Sequence, residues 1–199
     1  MLKEFASHGY ANASTNRMVQ EAGIGKGMLF YYFKSKEELY RYCLEYCIDF
    51  ISSEYLAQLD LTEPDFMIRF KKAGEIKMRA YLQNPLPFLF LASTYIRRDA
   101  PELVPDLYQR LEELTANGLK AMFANIDTSL FRQDVAPEQI INLIRWAIDG
   151  WSSETIAALE NQDLTDYDWD STFAEFDELL SALRKILYRR AAHGDCTGE

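Results

Sequence analysis

Lys26, Lys34 and Lys36 fall within eleven residues of one another, interleaved with Tyr31 and Tyr32. A polar quartet, Ser14, Thr15, Asn16 and Arg17, precedes them. These are the groups that donate to phosphate oxygens, and a lysine also reaches the acceptor edge of guanine. Gly25 and Gly27 flank Lys26 and add no bulk there. A backbone so bare can approach a polyanion closely, and the first N–H groups of a helix starting there point at phosphate. Taken alone, Lys34 and Lys36 suit an ordinary solvated face equally well. Their chemistry depends on the elements that hold them.

The charge distribution supports an anionic partner for this end of the chain. The 199 residues carry a net charge of −10. Residues 1–36 hold five lysines and arginines against two glutamates, a net of +3, which leaves −13 for the rest. A small basic end on an acidic body presents one face to phosphate and repels it elsewhere.

Other chemistries find little footing. The segment GIGKG lacks the leading glycine and the Ser/Thr of a phosphate-binding loop, and no nucleophile elbow or dinucleotide fingerprint occurs. No enzyme and no cofactor are expected. His8 and His193 have no partner at ligand spacing, so no metal site is expected. Cys43 and Cys47 read as small apolar residues on a buried stripe, and Cys196 as a free thiol in a polar tail. No apolar run approaches the roughly 20 residues that span a bilayer, and no secretory leader is apparent. A cytoplasmic location and no membrane partner are expected.

Helical periodicity dominates the chain. A short first helix starts at Leu2 and ends at Gly9; with only four residues before Phe5, it reads as short or truncated. Ser14 or Thr15 caps a second helix to about Glu21, and Ala22-Gly23 breaks it. Gly25 to Phe33 forms a third helix. Ser35 and Glu38 make a capping box for a fourth, running to about Leu59. Further helices are expected over Asp65–Gln83 and Phe88–Arg97, then, after a break at Asp99-Ala-Pro101, one to about Asn125 with Pro105 in or before its first turn, and over Pro137–Asn161 and Asp170–Ala192, with a polar, acidic connection from Gln162 to Asp168. The expected fold is all-α with about nine helices. Residues 1–46 form a three-helix unit, 47–192 a helical body, and 193–199 a disordered tail.

Met18, Val19 and Ala22 give the second helix an apolar side that Ile24, Met28 and Leu29 continue past the turn. That is a helix-turn-helix, whose second helix enters the major groove. The run FASHGYANASTNRMVQEAGIGKGMLFYYFKSKEELY, from Phe5 to Tyr40, resembles the signature of the TetR family of transcriptional regulators. The resemblance implies that Ser14, Thr15, Asn16 and Arg17 meet DNA, mostly at phosphates. It implies that Lys26, Gly27 and Tyr31 sit in the groove, while Tyr32 and Lys36 clamp the backbone. Phe30 stands where the family usually has tyrosine, and Tyr32 where it often has histidine.

The same resemblance implies a ligand cavity in the C-terminal body. Phe70, Met78, Tyr81, Phe88, Tyr95, Met122, Phe123, Trp146 and Trp151 form a lining for an apolar or aromatic effector, with Glu75 and Asp149 placed for a cationic group; ordinary core is the competing reading. It also implies a homodimer through the last two long helices. One supplies Ile140, Ile141, Ile144, Ile148, Ile156 and Leu159; the other supplies Phe173, Phe176, Leu179, Leu180, Leu183, Ile186 and Leu187. The implied function is a repressor that binds a palindromic double-stranded DNA operator as a dimer and releases it on binding a small molecule. The alternative is a helical dimeric module for a lipid or protein partner, with no DNA role.

Overall fold

A computed structural model describes residues 1–98, 100–159, 162 and 167–189. Ten α-helices appear among them: α1 Leu2–Asn12, α2 Thr15–Ala22, α3 Lys26–Tyr32, α4 Lys36–Glu54, α5 Phe66–Gln83, α6 Pro85–Arg97, α7 Ala100–Leu103, α8 Pro105–Phe123, α9 Pro137–Leu159 and α10 Trp169–Leu187. Two short 3-10 turns, Leu56–Gln58 and Thr128–Leu130, complete the described structure. The expected tail, Cys196, His193, the side chain of Ile156 and most of the acidic connection lie outside the described residues.

Local chemistry sets the boundaries. Gly9 sits at φ 67° and ψ 178°, a region that only glycine enters readily, and it kinks α1 one turn before its end. Ser14 caps α2 by accepting the Arg17 N–H. Gly23 closes α2 in a left-handed conformation, with its own N–H on Gln20 O and the Ile24 N–H on Val19 O. This paired closure ends a helix cleanly and turns its apolar side onto the next. Ser35 accepts the Glu38 N–H at 3.1 Å, and Glu38 in turn accepts the Lys34 N–H at 2.9 Å. The reciprocal bond therefore reaches one residue further back than in a standard capping box.

Several boundaries differ from expectation, among them α1, which runs past Gly9 to Asn12. The fourth helix stops at Glu54, where the Ser52 and Ser53 hydroxyls bond back to Ile48 O and Phe50 O and compete with the helical ladder. α6 begins at Pro85, because a proline loses nothing in a first turn whose N–H groups have no helical partner. Pro105 stands in the first turn of α8, as expected; the added element is the short α7 before it, separated at Val104 (φ −138°, ψ 64°) because the residue before a proline is pushed out of the helical region. Counting α7 gives ten helices. At the far end, the chain leaves the helix after Leu187. Tyr188 pairs with Phe131 in an isolated antiparallel bridge flanked by Arg132 N–H to Leu187 O and Arg189 N–H to Leu130 O.

Two apolar cores form. The larger one joins Phe5, Met18, Leu29, Tyr40, Leu44 and Ile48 of the N-terminal helices to Leu89 and Phe90 of α6 and Leu107 and Leu111 of α8. It does not part at Tyr46. Cys43 and Cys47 lie within it, as expected of stripe residues, and burial pushes the Cys43 thiol up to about 12. The second core gathers Phe66, Met67, Phe131, Ile140, Ile144, Ile148, Leu180, Leu187 and Tyr188. Ile140, Ile144, Ile148, Leu159, Leu180 and Leu187 are thus buried within one protomer, not free for a second copy as expected. One protomer needs them because α9 and α10 close the base of the body over α5.

Candidate nucleic-acid interface

α3 projects its outer face into solvent. Tyr31 is 81% exposed and Tyr32 71%, with their rings edge-on at 5.3 Å. Lys26 and Met28 are also exposed, and the Lys26 ammonium lies 6.0 Å from the centre of the Phe30 ring. Leu29 alone anchors the helix in the core. A side-chain carbon added at Gly25 or Gly27 would meet nothing within 4 Å, so this end of α3 faces open space. Lys34 is exposed just beyond it. The surface offers cationic and phenolic donors around a bare helix start.

Two sequence-selected cations have partners inside the protein. Arg17 donates from Nε to Glu4 Oε1 at 2.9 Å and from Nη2 to both Glu4 Oε1 and Asn12 O. Glu4 is 7% exposed and also accepts the Ser14 N–H at 2.8 Å. Burial alone would raise the Glu4 carboxyl, but Arg17 and Ser14 outweigh it and hold it below its ordinary range. Glu4 is therefore the buried clamp that ties α1 to the start of α2. In the sequence it counted only as a charge, and no signal distinguished it from a surface glutamate. Lys36 donates to Ala11 O at 3.2 Å and lies 4.7 Å over the Tyr10 ring, tying α4 to α1, with burial lowering its ammonium. Thr15 and Asn16 stand on the same edge as Ser14, Thr15 half-buried and Asn16 exposed.

The interface rests on α4 and α6. Tyr40 takes Phe5 edge-on at 5.0 Å and meets Phe90 at 5.3 Å, and its hydroxyl shares a 3.0 Å hydrogen bond with Thr94 of α6. Arg97 at the end of α6 donates to Ser7 O of α1. Arg41 forms a two-pronged ion pair with Asp106 of α8 and holds that carboxyl down at about 2. Arg110 of α8 pairs with Asp49 of α4 at 2.7 Å. These contacts join α6 and α8 to α1 and α4.

Some expected lining residues of the body come together. Phe70 lies 6.0 Å from Phe123 and 6.3 Å from Phe176, which itself meets Trp151 at 4.7 Å. Tyr81 contacts Phe88 at 5.9 Å and Trp169 at 6.2 Å. Met122 is buried and Met78 half-buried. The Trp151 Nε1–H is buried without a hydrogen-bond partner. Glu75, Tyr95, Trp146 and Asp149 are exposed and stand apart from these groups, and Asp149 lies 3.8 Å from Arg145.

Two buried polar anchors had no sequence signal beyond their charge. Arg69 donates to Glu63 O and to Met122 O and Ala124 O at the end of α8. Asp65 caps α5, receives both terminal nitrogens of Arg184 and accepts the Tyr188 hydroxyl, so it fastens α5 to the end of α10.

Comparison with known proteins bears on residues 2–43, which match the model of the family "Bacterial regulatory proteins, tetR family". Two HTH-type transcriptional regulators of Staphylococcus aureus, from strains USA300 and NCTC 8325, are each 30% identical over 98 residues, covering 40% of this chain and 53% of the relative. The chain thus spans about half the length of the curated relatives it matches. Among solved structures, a transcriptional regulator from Streptomyces coelicolor aligns with TM-score 0.47 at 21% identity, covering 95% of this chain and 94% of that one. A tetR family transcription regulator from Shewanella sp. PV-4 aligns with TM-score 0.48 at 16% identity and the same coverage. The matched residues fold as α1 to α4, with α2 and α3 forming the helix-turn-helix, so over residues 2–43 the chain is similar to the tetR family of bacterial regulatory proteins.

Proposed function

We propose that the protein is a ligand-released transcriptional repressor that binds a palindromic operator as a homodimer. The observation that carries this reading is the outer face of α3, where Lys26, Tyr31 and Tyr32 stand exposed beside Gly25 and Gly27 with Lys34 adjacent. Such a face fits the major groove, with Lys26 at base edges and the tyrosine hydroxyls and Lys34 at phosphates. Arg17 and Lys36 act first as internal braces, and their remaining exposed edges meet the backbone.

Dimerisation uses faces of α9 and α10 other than their buried stripes. Leu143, Trp146 and Ile186 are large apolar residues left exposed there, Trp146 at 58%. Exposed aromatic and aliphatic residues on adjacent helices suit a four-helix interface between copies. Two-fold symmetry then pairs two α3 helices one helical turn of DNA apart. The effector is a small apolar or aromatic molecule held in the body, and α6 carries its effect to α1 through Phe90, Thr94 and Arg97.

Lys26→Ala and Tyr32→Ala test the reading in gel-shift and fluorescence-anisotropy titrations against promoter DNA. Each variant is expected to keep the wild-type melting temperature and weaken specific binding on the order of 10-fold. Unchanged affinity in both would overturn the assignment. Binding that lacks salt dependence and sequence preference would instead favour a helical module for a protein or lipid.

A further inference from the structure

At about 100° per residue, Phe66, Ala73, Lys77 and Ala80 share one face of α5. Phe66, Ala73 and Ala80 are buried on it, whereas Ile68, Lys71, Glu75, Arg79 and Leu82 cover the opposite face and are exposed. Lys77 therefore stands in the middle of the inward face. Its side chain is nonetheless accessible. An accessible residue on an inward face enters space that the protein leaves unfilled. Gly74, one turn before Lys77, agrees: a side-chain carbon added there meets nothing within 4 Å.

The surroundings describe what that space accepts. Aromatic groups stand on the same side of α5 at both ends, Phe70 with Phe176 before Lys77 and Tyr81 with Phe88 after it. Among the described residues no acidic side chain is placed against the amine, and burial lowers its ammonium. A cation on a helix face that carries aromatic groups before and after it is matched by an anion with an apolar body.

We propose that Lys77 is the anion-recognising residue of the effector site and that the effector is a small organic carboxylate with an aromatic or alkyl body. This rests on the reading of the chain as an effector-released repressor and replaces a cationic effector, since Glu75 and Asp149 face solvent.

The full-length protein is titrated by calorimetry with 4-phenylbutyrate and decanoate, their alcohols, and 4-phenylbutylamine. The carboxylates bind and the alcohols and amine do not. Lys77→Met weakens carboxylate binding at least about 30-fold, the loss expected when one partner of an enclosed charge pair is removed, while Lys77→Arg retains it. Equal carboxylate affinity in Lys77→Met, no carboxylate binding at millimolar concentration, or preferential binding of the amine would each overturn the proposal. Release from promoter DNA is scored separately. An alcohol or amine that releases DNA while carboxylates are inert overturns the anion assignment but keeps the repressor reading. Carboxylates that bind at Lys77 without affecting DNA keep the site and overturn its role as the effector site.

Discussion

Replacing Glu4 is expected to damage the N-terminal unit as much as replacing Arg17, the residue that the motif selects for DNA. Glu4 is 7% exposed and accepts from Ser14 N–H at 2.8 Å and from Arg17 Nε at 2.9 Å. A hydrogen bond to a charged group contributes about 1.5–3 kcal/mol, and the low end applies because Arg17 is half-exposed and can recover water. Glu4→Ala also orphans the Ser14 N–H, which adds about 1 kcal/mol. The sum, about 2.5 kcal/mol, lowers the melting temperature by roughly 5–10 °C in a chain of this size. A double-mutant cycle with Glu4→Ala and Arg17→Met, read by urea denaturation followed by circular dichroism, isolates the pair. It is expected to return a coupling of about 1.5 kcal/mol. Additive losses, with coupling below roughly 0.5 kcal/mol, would show that the clamp contributes nothing and would return Arg17 to a purely DNA-facing role. Glu4→Ala should weaken promoter binding as well, although Glu4 itself repels phosphate.

Further outcomes follow from single residues. Gly9→Ala forces a side chain into the backbone geometry at φ 67° and ψ 178° and should cost about 1–3 kcal/mol, seen as a lower melting temperature; a neutral result would refute the strain. Burial raises the Asp65 carboxyl, but Arg184, the Ile68 N–H and the Tyr188 hydroxyl outweigh it and leave it below its ordinary value of 3.8. Its stabilisation is therefore complete above that pH and fades as pH falls through the lowered native value. Asp65→Asn should accordingly be less stable than wild type at pH 7, with the gap narrowing below pH 3.8 in parallel thermal melts; an unchanged gap would count against the anchor. Trp146→Glu should halve the mass in light scattering without changing the helical signal, and a persistent dimer would place the interface elsewhere. Lys34→Ala should weaken promoter binding evenly across sequences and reduce the salt slope by about one, whereas a loss confined to one sequence would assign Lys34 to bases.

The parts of the fold visible in the sequence are those fixed by local rules. Ser14, Gly23, Ser35 with Glu38 and Pro137 all mark helix ends where caps and turns act over a few residues. The exposed α3 face was legible for the same reason, since helical spacing decides which residues share it. What stayed hidden depends on distant chain segments. Glu4 and Arg69 are charged residues whose burial follows from partners 13 and up to 55 positions away. The stripes of α9 and α10 read correctly as apolar, but periodicity cannot say whether an apolar stripe meets its own protomer or a second copy. The side of α5 that faces the interior, and with it the place of Lys77, is set by tertiary packing.

The continuous core between α1 and α6 has a practical consequence for chimeric sensors. Phe5 and Tyr40 rely on Phe90, and Ser7 O on Arg97, so a transplant cut at residue 46 would strip the helix-turn-helix unit of its floor. The exchangeable cassette includes α6. A hybrid that joins this reading head to another sensory body should carry residues 85–97 with the head, and should redesign the contacts of α6 with α5 and α9 instead.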